Sequence, residues 1–236
     1  MENRGKLYLI PSTIGDYEPS TVIPYPALEA IKKIHTYVVE ETRTARRFLS
    51  AAGLKGHIEE LDFYELNEHT SKQEVENYIR LFDNGSDVGY ISEAGLPAVA
   101  DPGALLVSLC HRKDIKVIPF VGPSSLMLAL MSSGMNGQSF AFNGYLPTKQ
   151  EERKAAIKSL EKHSKISGQS QIFIETPYRN DVMLKDLLNT CNDDTLLCIA
   201  LNITLPDEFI KTKSISEWKK NIPLLGKRPC VFILSV

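Results

Sequence analysis

Short β-branched or aromatic runs alternate with helix-like segments along almost the whole of this 236-residue chain, and that alternation is the tightest constraint on its fold. Lys6–Pro11 (KLYLIP), Thr36–Glu41 (TYVVEE), Asp87–Ser92 (DVGYIS) and Ile115–Phe120 (IKVIPF) read as strands, each closed by polar, Gly or Pro residues. Between them PALEAIKKI, TARRFLSAAG ending at Gly53, SKQEVENYIRLFDNG ending at Gly85 and GALLVSLCHRKD read as helices. Ser71 with Glu74 three residues on is a capping-box pattern, and Asn84-Gly85 supplies a stop. Such alternation predicts an α/β layered domain with a mostly parallel sheet and flanking helices.

The second half changes character. A helix over Pro123–Ser133 leads to SFAFNGYLP, a charged helix KQEERKAAIKSLEKH, a strand QIFIETP, a helix YRNDVMLKDLLNTC, and then the strands TLLCIALNI, FIKTKSI and CVFILSV. Successive strands joined by short connections predict antiparallel pairing and a mixed sheet. The boundary falls near Pro119, giving an N-terminal α/β domain over 1–118 and a C-terminal one over 119–236. With no repeat or long linker, the halves are expected to pack closely around a cleft that holds the site.

Composition narrows the function classes. The 27 basic and 29 acidic residues nearly cancel, so any nucleic-acid contact must come from a local patch. Cys110, Cys191, Cys198 and Cys230 are scattered, without zinc spacing, and fit reduced buried thiols; no metal is expected. The apolar run in MENRGKLYLIP is far too short for a signal segment, and no stretch approaches the roughly 18 apolar residues of a membrane span. A soluble cytoplasmic protein without membrane association is the expectation.

In open α/β sheets, ligands collect where loops converge at the carboxyl ends of strands. The unusual residues lie there: PSTIGDYEPS, EETRTARR, SEAGLPAVADPG, VGPSS and ETPYR each follow a strand-like run. Neither GxxxxGK[ST] nor GxGxxG is present, so a nucleotide held by its phosphates is disfavoured. Gly and Pro turns instead expose backbone amides and carbonyls, which suits a ligand of little negative charge, such as adenosine and methionine moieties.

Taken in order, these loops resemble the tetrapyrrole methylase superfamily, and within it the branch of the small-subunit ribosomal RNA cytidine 2′-O-methyltransferase. Glu93-Ala94-Gly95-Leu96-Pro97 and Asp101-Pro102-Gly103 carry one signature, and Glu40-Glu41-Thr42-Arg43 is similar to a Glu-Asp-Thr-Arg motif. Thr13-Ile14-Gly15-Asp16, Gly122-Pro123-Ser124-Ser125, Gly144-Tyr145-Leu146-Pro147 and Glu175-Thr176-Pro177-Tyr178-Arg179 resemble further motifs; Asn67-Glu68-His69 stands where the branch often carries Asn and His. The resemblance implies two α/β domains, a homodimer, and S-adenosylmethionine (product S-adenosylhomocysteine) in the cleft between the domains. It places the cofactor against Glu93, Gly95, Leu96, Pro97, Ala98, Ser124, Ser125, Ile174, Glu175, Ala200 and Pro229. Ribosomal RNA or the small ribosomal subunit would be the substrate.

Methyl transfer from a sulfonium is an in-line displacement with an activated donor, so alignment alone can supply roughly 7–11 kcal/mol. A ribose hydroxyl is a poor nucleophile, and a base or a nearby cation adds about 10²–10⁴-fold. Glu41, Arg43, Glu175 and Arg179 are the candidates for base and for alkoxide or phosphate contact. The ordinary readings stand beside these: a helix cap or surface pair for both couples, a solvated face for TARRF and for KQEERKAAIKSLEKH, and a loop residue for His69. Gly95→Val is expected to abolish cofactor binding in a folded protein. One segment departs from the branch: after LLCIAL it has Arg-Glu and then Thr-Lys, whereas this chain reads Leu201-Asn202-Ile203-Thr204-Leu205 and ends soon after, at CVFILSV, where longer members continue. An acceptor other than RNA, such as a tetrapyrrole, or a non-catalytic cofactor-binding relative, therefore stays open.

Overall fold

The computed structural model describes residues 4–236. They divide into two compact units, 4–124 and Ser125–Val236. The first unit carries β1 (Leu7–Leu9), α1 (Tyr25–Ile31), β2 (Thr36–Val39), α2 (Thr42–Leu49), β3 (Asp62–Glu65), α3 (Lys72–Asn77), β4 (Val88–Ile91), α4 (Gly103–Arg112) and β5 (Val117–Pro119). Its sheet runs in the order β3-β2-β4-β1-β5, and every pairing is parallel.

Two cores flank this sheet because alternate side chains of each strand point to opposite faces. Ile10, Tyr37, Val39 and Ile91 pack with Ala27 and Ile31 of α1 and with Ala45, Phe48 and Leu49 of α2. Leu7, Val38, Val88 and Tyr90 pack on the other face with Val75, Phe82, and Leu106, Leu109 and Cys110 of α4. The chain thus moves from β1 to β2 and β3 over one face and returns from β3 through β4 to β5 over the other. The reversal makes the adjacent carboxyl ends of β1 and β4 a topological switch point, where ligands bind in such sheets.

The second unit carries α5 (Ser125–Ser133), β6 (Phe140–Tyr145), α6 (Gln150–Ser167), β7 (Ser170–Glu175), α7 (Asn180–Thr190), β8 (Leu196–Leu201), β9 (Phe209–Ser214), α8 (Ile215–Lys220) and β10 (Cys230–Ser235). The sheet order is β6-β7-β10-β8-β9, with β6 and β7 parallel and the other pairs antiparallel, so it is mixed as expected. Its main core joins Phe173, Ile199 and stacked Phe232 to Ile157, Met183, Leu187 and Trp218.

Several local expectations change. Asp62–Glu65 forms a largely exposed edge strand that its sequence did not announce. The helix from Ser71 does carry its capping box, but it gives way after Asn77 to 3₁₀ turns, and Asp83 and Asn84 leave helical geometry altogether. A second capping box, Ser214 with Glu217, starts α8 at the end of the strand-like run FIKTKSI. The charged helix α6 is not solvated all round. Its Arg153 is buried against Asp186 of α7, with Nε and Nη2 donating to Oδ2 at 2.8 and 2.6 Å. No helix among the described residues is long and apolar enough to cross a membrane.

Candidate active site

The segment after β4 is built at the switch point. Ile10 N–H donates to Tyr90 O at 2.9 Å, Ser12 N–H to Gly95 O at 3.0 Å and Ser12 Oγ to Ser92 O at 3.2 Å, so the β1 and β4 loops are tied side by side. From the other neighbour, Glu40 at the end of β2 donates its N–H to Ile91 O, and its Oε2 accepts from Glu93 N–H at 3.1 Å. Gly95 is buried at φ +76, a left-handed conformation that a Cβ disfavours. A Cβ there would also lie 3.1 Å from Ile14 Cγ2 and 3.3 Å from Pro123 O.

Asp101 organises the rest of the loop. Its Oδ1 accepts from Tyr90 OH at 3.0 Å and Gly103 N–H at 2.7 Å, and its Oδ2 from Ala98 N–H at 2.9 Å. Ala98 and Ala100 both sit at positive φ, +63 and +64, which costs of order 1–3 kcal/mol each and persists only where the surroundings impose it. Burial raises the Asp101 carboxyl above its ordinary range, against the pull of its three donors. Burial likewise raises Glu40, helped by the charges of Asp101 and Glu93. Glu93 is exposed, Leu96 and Ala98 half-buried, and Pro97 buried.

Among the other expected site residues, Glu41 is the N-cap of α2. Its Oε1 accepts from Arg43 N–H at 2.9 Å, and its Oε2 from Thr44 N–H and Thr44 Oγ, both at 2.6 Å. The Thr44 hydroxyl first, then the two amides, hold its carboxyl below the usual range. This geometry is that of a cap, and a carboxylate so fully engaged is a weak base. The Arg43 side chain is exposed. Ser124 and Ser125 are half-buried, Ser125 opening α5. His69 is exposed, 3.6 Å from Glu68, and its N–H donates to Asn67 Oδ1 in a local turn.

In the second unit, Ile174 and Glu175 end β7. Glu175 is buried, and its Oε1 accepts from Thr176 N–H at 2.6 Å, Arg179 Nη2 at 2.6 Å and Arg179 Nε at 3.0 Å. Its Oε2 is buried without a partner, as is Asn180 Oδ1. A buried carboxylate oxygen with no donor is costly and calls for one, so this position fits a ligand bearing an N–H or ammonium group. Ala200 lies between β10 and β9, with ladder partners on both sides, and Pro229 O accepts from Asn202 N–H at 3.0 Å. Backbone at these two positions is therefore already used, leaving the exposed Pro229 ring as the free surface. Asn202 and Thr204 have φ +46 and +74, and Asn202 Nδ2 donates to Asp207 at 2.7 Å. The Leu201–Leu205 segment thus carries no charged side chain where the resembled branch has Arg-Glu and Thr-Lys.

Sequence reasoning passed over Glu40 and Asp101 as site residues. Both stood inside quoted motifs, and the available signal was Glu40's place directly after β2 and Asp101's place just before α4 in the loop that follows β4. All four cysteines are buried and unpaired, and burial pushes the Cys110 and Cys191 thiols up to about 12, far from nucleophilic use.

A parallel five-stranded unit followed by a mixed five-stranded unit is the fold of the tetrapyrrole methylase class. Solved structures agree: the methyltransferase CobJ matches at TM-score 0.65 with 14% identity, over 98% of this chain and 94% of that one. Uroporphyrin-III C-methyltransferase from Thermus thermophilus, solved with S-adenosylhomocysteine, matches at TM-score 0.57 with 15% identity, over 98% and 97%. No family model matches the chain. The ribosomal RNA small subunit methyltransferase I of Thermotoga maritima is 32% identical over 223 residues, 93% of this chain and 95% of that protein. The chain belongs to the ribosomal RNA small subunit methyltransferase I family.

Proposed function

We propose that the protein is an S-adenosylmethionine-dependent methyltransferase that methylates a ribose 2′-hydroxyl of small-subunit ribosomal RNA. The observation that carries the reading is the strained Glu93–Gly103 loop, held by Asp101 at the switch point in a chain of this family. Glu93, Gly95, Leu96, Pro97, Ala98 and Ser124 are assigned to the cofactor in the first unit, and Ser125 at the start of the second. Ile174, Glu175, Ala200 and Pro229 are assigned to it in the second.

When bound, S-adenosylmethionine supplies a methyl group already activated on a sulfonium. The chain's own task is then alignment. The Gly95 turn, tied to Ser12, presents backbone without a side chain in the way, and Glu175 Oε2 offers its lone pair to a ligand amino group. Arg43 and Arg179 are assigned to the acceptor's phosphate or developing alkoxide. Glu40, kept easier to protonate by burial, is better suited than Glu41 to hold the hydroxyl proton. The protein is proposed to act as a homodimer.

A second reading, a non-RNA acceptor such as a tetrapyrrole, is kept by one observation: Leu201-Asn202-Ile203-Thr204-Leu205 carries neither the Arg-Glu nor the Thr-Lys of the resembled branch. Labelled methyl transfer to 30S subunits, naked RNA and porphyrinogens separates the two, after a thermal-shift titration with the donor and its product. Absence of stabilisation by either ligand removes the donor assignment, and labelling of porphyrinogen alone removes the RNA assignment.

A further inference from the structure

We propose that the groove beside the Glu93–Ala94 bend takes a single-stranded RNA segment flanking the acceptor nucleotide, with Arg47 and Lys55 on its phosphates. The inference rests on the RNA reading above and adds a binding surface to it. The groove is open and has a volume of about 1030 Å³ within the first unit, just above the roughly 300–1000 Å³ of small-molecule pockets, which suits a length of polymer. One wall is formed by α2, through Thr44 and Arg47, and by the irregular turn after it, which leaves helical geometry at Gly53 and carries Ala51 and Lys55. The Asp16–Pro19 loop after β1 forms the opposite wall.

The charges are sorted by wall. Arg47 and Lys55 are exposed, and no ion pair engages either among the described residues. Arg46, one position away, differs: it is paired with Glu59, and its guanidinium lies 5.7 Å from the Phe63 ring centre. Asp16 and Glu18 stand on the loop wall on either side of Tyr17 in sequence, whose hydroxyl accepts from Ile14 N–H at 3.4 Å. A phosphodiester is drawn to the cationic wall and repelled from the other. The bases then turn toward the loop, where an aromatic ring can stack one and carboxylates accept from exocyclic amino groups. That polarity brings the strand along α2 to Glu93-Ala94, the start of the loop assigned to the methyl donor. A solvated helix face needs neither the enclosing loop nor the sorting of charge.

The test compares full-length wild type with Arg47→Ala/Lys55→Ala in binding a labelled single-stranded RNA across a salt series, and in methyl transfer to 30S subunits. Lys158→Ala/Lys162→Ala, on the exposed face of α6, is the control. The groove variant is expected to bind RNA roughly 5- to 30-fold more weakly. Its log–log salt slope should shrink by about 1.4, from about 0.7 per single-strand phosphate contact. Its melting temperature and its stabilisation by S-adenosylmethionine should match wild type, and the control should match wild type throughout. Unchanged RNA affinity and slope in a variant of an RNA-methylating wild type overturn the groove alone, as does loss of S-adenosylmethionine stabilisation in that variant. A wild type stabilised by S-adenosylmethionine but methylating no RNA overturns the reading beneath it, and the groove falls with it.

Discussion

Glu175 and Arg179 meet through one carboxylate oxygen only: Oε1 takes two guanidinium N–H donors and the Thr176 amide, while Oε2 is enclosed with nothing to accept from. Glu175's side chain is 1% exposed and Arg179's 30%. Arg179→Ala would strip most of the compensation from a buried charge. The expected loss is about 2–3 kcal/mol by denaturant titration, below the roughly 3–5 kcal/mol of a fully enclosed pair. Glu175→Gln keeps an acceptor for Arg179 but turns the orphan lone pair into a donor. Affinity for S-adenosylmethionine should then fall about tenfold or more, the scale of a lost hydrogen bond to a charged group. Wild-type affinity in that variant removes Glu175 from the cofactor site.

Gly95 has two reasons to be glycine, its φ of +76 and its close neighbours Ile14 and Pro123. The structure thereby alters the expectation that Gly95→Val leaves the fold untouched. The milder Gly95→Ala is expected to cost about 1–2 kcal/mol in stability from the left-handed backbone alone. It should also weaken cofactor binding, measured calorimetrically well below its melting temperature.

Gly103 is a different case, since its backbone is ordinary and its space is not. A Cβ there would overlap the buried Tyr90 ring that donates to Asp101. Gly103→Ala should therefore cost about 1–3 kcal/mol as overpacking, and it should loosen the donor loop through Asp101. Tyr90→Phe in the same background should not restore stability, because the ring rather than the hydroxyl is in the way.

Glu40 gives a pH dependence with a definite sign. Burial raises its carboxyl, so at neutral pH the folded state carries the full cost of holding it charged. Below its ordinary value of 4.5 both states are protonated and the cost is gone. Glu40→Gln, which still accepts from the Glu93 amide, should raise the melting temperature at pH 7, with the advantage shrinking toward pH 4.5. An advantage that grows on acidification would reverse the assignment.

Glu41→Ser separates a cap from a catalyst. Serine caps helices well, so stability and turnover should both survive if Glu41 only closes the start of α2. A fall of about 10²–10⁴-fold in kcat at unchanged stability would instead mark it as the base.

Much of this arrangement was legible in residues that act locally. Alternating strand and helix runs, the Ser71–Glu74 box and the antiparallel end of the second sheet follow from short-range chemistry. The Asp62–Glu65 strand was not, because a four-residue edge strand with charged ends has no apolar alternation to display. The Ser214–Glu217 box was readable but begins on the last residues of the strand-like run FIKTKSI. Loop sequences located the site, but roles inside it depended on partners far along the chain. Only the folded chain brings the Glu93 amide to Glu40, 53 residues away, and the Tyr90 hydroxyl to Asp101, whose other two donors, Ala98 and Gly103, are local. Likewise, Arg153 reads as a surface charge until Asp186, 33 residues later, is seen to bury it.

The place of β10 has a bearing on how the protein is made. It lies at the centre of the second sheet between β7 and β8, both of which are synthesised before it. Those two strands therefore lack native partners on their facing edges until Cys230–Ser235 has been made, and the hydrophobic core that holds Phe173 and Phe232 is incomplete without it. A nascent chain arrested before Cys230 should show a protease-resistant first unit and a labile second one. Equal resistance of both would mean that β7 and β8 find another way to close.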